Sequence, residues 1–185
     1  MFNIRSIYFY FLAIQISLIK LIKKIYFTTN FYNKSLKSKT PQQFYFHPNP
    51  FLLTSITNYT KHSFKVSSID PTTFWQIKKN SFEEREIHSF LWLNLIDRKH
   101  DGKSLQKIID LWIIKNGNYK RNIWETSVLS KRIISWILNV DIILNNGSFY
   151  FKRSFLNSIT SQTNHLKKNI TFEKNYIKRL EILTA

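Results

Sequence analysis

Polar or cationic side chains set into otherwise apolar helical faces mark where this 185-residue chain could do chemistry. His88 and Trp92 stand four apart, Arg132 and Trp136 stand four apart, and Gln162 interrupts the apolar row Phe151, Phe155, Ile159 and Leu166. Residues four apart share a helix face, so each pair sets an imidazole or a guanidinium beside an indole. That combination can grip a sugar or a carboxylate, the ring lying on C–H faces while the polar group binds acid. The same pattern arises where an arginine stem covers apolar surface or a histidine is held for structure alone. The candidate substrate-binding residues are therefore His88, Trp92, Arg132, Trp136 and Gln162.

Other chemistries lack their residues. The chain has no cysteine, which excludes disulfides, zinc ribbons and thiol nucleophiles. His47, His62, His88, His100 and His165 show no ligand-like spacing with carboxylates, so no metal site is expected. There is no Gly-rich phosphate loop, no Gly-x-Ser-x-Gly and no pair of acids in an apolar segment. Glu83, Glu84 and Glu86 fall in a first helical turn, where they complement the helix dipole. No catalytic residue is assigned and no cofactor is expected.

The elements that position the five candidates read as helices from residue 82 to 185. Ser81-x-x-Glu84 is a capping box opening a helix over about 82–97. Leu105, Ile108, Ile109, Trp112 and Ile113 form one continuous apolar stripe, which Asn116-Gly117 ends as a C-cap would. A third helix carries Leu129, Ile133, Trp136, Ile137, Val140 and Leu144 on one face, Asn146-Gly147 stops it, and Ser148 starts a fourth. The short turns predict two antiparallel hairpins, 82–116 and 125–169. The expected fold is all-α, stacked antiparallel helical hairpins forming part of an α/α toroid, and the last helix reads as cut off at Ala185.

The first 81 residues differ. Residues 6–19 are an apolar run followed by Lys20, Lys23 and Lys24 within an N-terminal segment 1–29. A span needs about 20 apolar residues, so this run reads as a core or surface-lying helix before a membrane-associated one or an uncleaved export signal. No small-x-small cleavage site follows it. Residues 30–81 hold Pro41, Pro48, Pro50 and Pro71 and read as an irregular connector, with Gln42–Phe46 and His62–Val66 as possible short strands.

Lys plus Arg number 28 against 11 acids, a net charge of +17. Such an excess suits an anionic partner, because cations displace counterions from a phosphate lattice. Abundant Ile and Asn beside scarce Ala and Gly point to an AT-rich genome, which supplies lysine irrespective of function. No acid precedes Asp70, so the basic excess is concentrated at the N-terminus. Nucleic acid is disfavoured as a partner, since no recognition helix or aromatic strand accompanies the scattered cations. The hydrophobic share of 43% supports a packed core.

Taken in order, His88-Ser-Phe90-Leu-Trp92-Leu93, Trp112-Ile113, Trp124, Ser130-Lys-Arg132-Ile133-Ile-Ser-Trp136 and Gln162-x-x-His165-Leu166 resemble the N-terminal helical domain of heparinase II/III-like proteins. The likeness covers about residues 74–185. It implies an incomplete toroid from a polysaccharide lyase of bacterial type, whose relatives carry a β-rich C-terminal region and cleave uronate-containing glycans by β-elimination. A cation or amide neutralises the uronate carboxylate there, while a Tyr or His removes the C5 proton. Arg132 would bind a substrate carboxylate, and Trp92 or Trp136 would stack on a sugar. The family's Gly-Asn-His…Asn segment is not reproduced at Asn175–Ile182, and its acid/base residues would lie beyond Ala185.

The expected function is thus an N-terminal lyase fragment that binds an anionic polysaccharide and is inactive as this chain alone. The alternative is a non-enzymatic envelope-associated module that binds an anionic membrane surface through residues 1–39. Either the cell envelope, the periplasm or the cytoplasm is compatible with the sequence.

Overall fold

A computed structural model describes residues 4–37, 40–42, 48–49, 71–75, 81–96, 102–170 and 175–184. The chain divides into two compact units, Met1–Ser35 and Leu36–Ala185. Among the described residues the fold is all-α, with no strand. Of the expected strands Gln42–Phe46 and His62–Val66, only Gln42 is described, in a bend, and the rest lie outside the described residues.

The first unit is dominated by α1, Ile4–Thr28, a helix of 25 residues without an acid in its first turn. The apolar run at 6–19 therefore does not end near Ile19. Lys20, Lys23 and Lys24 are good helix formers and carry the helix on through a second apolar cluster, Ile25, Tyr26 and Phe27. Thr28 and Thr29 Oγ1 donate to the carbonyls of Ile25 and Tyr26 at 2.7 Å where the helical ladder ends, and the Tyr26 carbonyl also accepts the Thr29 amide at 3.1 Å. Thr29 Oγ1 also accepts the Tyr32 amide at 3.1 Å, which begins α2, Asn30–Leu36. The reading of residues 6–19 as a core helix is not met: none of the Ser6–Thr28 stretch is buried.

The second unit contains α3 (Pro71–Phe74), α4 (Ser81–Ser89), a 3-10 turn at Leu91–Leu95, α5 (Gly102–Asn116), α6 (Thr126–Leu138), α7 (Val140–Leu144), α8 (Phe149–Ile170) and α9 (Tyr176–Thr184). Helix α6 is the hub, packing against α4, α8, α9 and the 3-10 turn. Its Val128, Leu129, Ile133 and Trp136 are buried, together with Ile108, Ile109 and Trp112 of α5 and Phe155 and Leu166 of α8. Helix α4 lies chiefly against α6, not against its sequence neighbour α5 as the hairpin reading expects. The segment read as an irregular connector contributes α2 at one end and α3, which packs on α5, at the other.

Two helices end sooner than their apolar periods suggest. The first stops at Ser89, because Phe90 adopts a left-handed conformation with φ 58°. This state costs an ordinary residue about 1–2 kcal/mol. It sets the Phe90 ring among Trp92, Trp112 and Trp136, with centroids 5.4, 5.5 and 5.2 Å away. The third helix breaks at Asn139, whose side-chain amide donates to Ser135 O and to Asn94 Oδ1, both at 2.8 Å. The side chain of Ser81, half of the expected capping box, lies outside the described residues.

The two Asn-Gly turns stand where the sequence places them, by different means. Asn146 itself takes the left-handed φ of 53° at the second. At the first, Gly117 has no positive φ, but a Cβ there would sit 2.5 Å from the carbonyl oxygen of Ile113. Close approach, not left-handed backbone, requires glycine at 117.

Candidate functional site

Arg132 projects from the middle of α6 into the core of the second unit and is fully buried. Among the described residues no carboxylate pairs with it. Its Nε donates to Gln162 Oε1 at 2.6 Å, and its Nη1 donates to the backbone carbonyls of His88 at 2.8 Å and Ile123 at 3.1 Å. The guanidinium carbon lies 4.4 Å from the ring centre of Trp112, a cation–π contact. Burial pulls the Arg132 pKa well below its ordinary value, and oriented neutral acceptors take the place of a counter-ion. Among the described residues Nη2 has no hydrogen-bond partner, and neither does the equally buried Trp136 Nε1.

The network extends on both sides of Arg132. Gln162 donates its own amide to Ser158 Oγ at 3.0 Å, so its acceptor end is fixed toward the guanidinium. Trp112 Nε1 donates to His88 Nδ1 at 2.9 Å. A neutral imidazole has one acceptor and one donor nitrogen, so this bond assigns the His88 proton to Nε2. The His88 ring stacks on Trp75 at 5.5 Å with planes 5° apart, and Trp75 is held by its N–H on the Ile108 carbonyl at 2.9 Å.

Four of the five sequence candidates are thus brought together: His88, Arg132 and Gln162 by hydrogen bonds, and Trp136 by edge packing on Trp112 at 5.4 Å. They meet in the interior and not in an open groove. Arg132, Trp136 and Gln162 have no exposed surface, so direct stacking of Trp136 on a sugar does not apply to this structure. Trp92 stands apart from the guanidinium. It is half-buried, donates to the Ile87 carbonyl at 3.0 Å and packs on Phe74 and Phe90.

An open cleft of about 430 Å³ lies directly beyond this network. Trp75, His88 and Ile123 form part of its lining, with Lys115, Lys120 and Arg121 contributing three cations and Glu84 one acid. His88 and Ile123, on opposite elements, are the two residues whose carbonyls Arg132 Nη1 holds. One buried nitrogen therefore ties together two parts of the cleft wall.

Lys115 lies in the last turn of α5, and Lys120 and Arg121 ride on the turn that follows it. Lys120 Nζ donates to Lys115 O at 2.6 Å and Asn116 Oδ1 at 3.0 Å, covering the negative end of the helix. Trp124 Nε1 donates to Asn116 O at 3.0 Å and fixes the far side of the turn. Lys115 and Arg121 are exposed. Within the same turn, burial pushes the Tyr119 phenol above 10.0, partly offset by Arg121.

Sequence reasoning missed Trp75 because it sits in the proline-rich stretch with no helical period. The signal for the cations was available: three basic residues bracket the Asn116-Gly117 turn at 115–121. The chain matches no family profile, no curated protein and no solved structure.

Proposed function

We propose that the second unit binds an anionic saccharide, a uronate-containing chain, in the cleft beside Trp75 and His88. The observation that carries this reading is the placing of three cations, Lys115, Lys120 and Arg121, around a stacked Trp75–His88 pair. An aromatic face suits the C–H surface of a sugar, and flanking cations suit its carboxylate. Arg132 supports the cleft from behind, and Gln162 orients Arg132. Both act as positioning residues in this proposal.

The resemblance to heparinase II/III-like proteins adds a class to this reading: the helical part of a polysaccharide lyase, arranged as an arc of an α/α toroid. Binding without elimination is the expected behaviour of this chain. A base that removes the C5 proton needs a free lone pair. The only lone pair of neutral His88 already accepts the Trp112 N–H, so His88 is not placed to act as that base.

The test is to incubate the purified chain with a uronate polysaccharide, following co-sedimentation and the absorbance of unsaturated uronate together. Salt-sensitive retention without unsaturated product is expected. Turnover would contradict binding without elimination, and no retention at low salt would remove the saccharide reading.

A further inference from the structure

The first unit carries a feature that the cleft does not use. Ile7, Tyr8, Phe9 and Tyr10 of α1 are consecutive, so they point to four different sides of the helix, and all four are 56–69% exposed. Phe11, Ile14, Leu18, Ile19, Leu21 and Ile22 are exposed as well. A helix lying on a membrane or on a protein surface keeps a broad polar face. One that is apolar on every side needs an apolar medium all round it.

Its dimensions fit a bilayer. The 25 residues of α1 rise about 37 Å, against a hydrocarbon core of about 30 Å. Ser6–Ile19 carries no charge, and Lys20 can extend its stem to bring its ammonium to the lipid headgroups. Tyr8 and Tyr26 stand about 27 Å apart along the axis, the separation of two interfacial aromatic belts. The backbone is satisfied within the helix, as a lipid environment demands.

The charges give a direction. Lys20, Lys23, Lys24, Lys34, Lys37 and Lys39 lie toward or beyond the C-terminal end of the span, Arg5 alone lies at its start, and no acid occurs before Asp70. Short flanks rich in lysine stay on the cytoplasmic side, where the leaflet is anionic. We propose that α1 crosses an anionic phospholipid bilayer once, with the residues after Thr28 on the cytoplasmic side. This stands independently of the cleft, whose ligand it would place on that same side.

The natural absence of cysteine makes the test direct. Asn3→Cys and Lys152→Cys are expressed separately in the full chain in bacteria, and spheroplasts are treated with a membrane-impermeant maleimide before and after lysis. Membranes are also washed with alkaline carbonate. The expected result is a chain that stays in the carbonate pellet, labels at Asn3→Cys in intact spheroplasts, and labels at Lys152→Cys only after lysis. Release by carbonate, removal of the first residues from the recovered chain, or labelling of Lys152→Cys before lysis would each overturn the proposal. So would a detergent-free soluble oligomer, which would mean that a second copy covers the helix.

Discussion

Nη1 of Arg132 donates to the backbone carbonyl of His88 at 2.8 Å, joining the centre of α6 to the end of α4 across 44 residues of sequence. The same nitrogen reaches Ile123 O at 3.1 Å. A buried cation with no acid partner is costly, and it is retained here because three oriented acceptors and an indole face surround it. The arrangement fixes the separation of two cleft-lining residues, which is its link to the proposed binding.

Arg132→Met should therefore lower stability by about 3–5 kcal/mol, since it leaves the carbonyls of His88 and Ile123 buried without donors. Arg132→Lys should fail to restore most of this, because an ammonium cannot reproduce the planar fork that serves Gln162 and the carbonyls together. Denaturant titration measures both. A lysine variant as stable as the natural chain would show that charge, and not the fork, is what matters.

Two of the three interior indoles, Trp112 and Trp136, should respond differently to loss of their N–H. Trp112→Phe removes the donor to His88 and exposes a buried imidazole acceptor to no partner, at about 1–3 kcal/mol beyond the lost packing. Trp136→Phe removes a donor that has no partner among the described residues, so it should cost only the packing difference. Equal losses in thermal or denaturant unfolding would contradict the assigned hydrogen bond.

Phe90 separates backbone from side-chain effects. Phe90→Ala should lose about 3–5 kcal/mol for the buried ring. Phe90→Gly should be the more stable of the two by about 1 kcal/mol, because glycine adopts the left-handed state without a Cβ clash. The opposite order, normal inside a helix, would argue against a helix end at Ser89.

Gly117→Ala should destabilise by about 1–3 kcal/mol, since its Cβ would meet backbone at 2.5 Å and a main-chain oxygen cannot swing aside. Gly102→Ala, where the nearest atom is 3.5 Å away, should be neutral or stabilising by up to about 1 kcal/mol. Comparing the two unfolding midpoints distinguishes a steric need for glycine from a general preference at helix ends.

The helices beyond residue 81 were legible because their apolar residues repeat at 3.6-residue intervals and their turns carry Asn-Gly. The breaks at Phe90 and Asn139 were not. An aromatic residue enters a left-handed state only when packing around Trp112 and Trp136 compensates, and Asn139 interrupts its helix through Asn94, 45 residues away. The convergence of His88, Arg132 and Gln162 could be anticipated from their odd placement on apolar faces. Their depth could not, since spacing along a helix is silent on what covers that face. The uncharged length of the apolar run at 6–19 understates its helix, because lysines whose stems cover apolar surface let it run to Thr28.

The central claim is that the Trp75–His88 cleft holds a carboxylated sugar, and calorimetric titration with a uronate oligosaccharide beside its carboxyl-reduced neutral counterpart tests it most directly. The account predicts heat of binding for the acidic sugar only, with affinity weakened about 3- to 10-fold by Lys115→Gln combined with Arg121→Gln, as two exposed ion pairs allow. Equal responses to the charged and neutral sugars, or an affinity unchanged in the double variant, would contradict it.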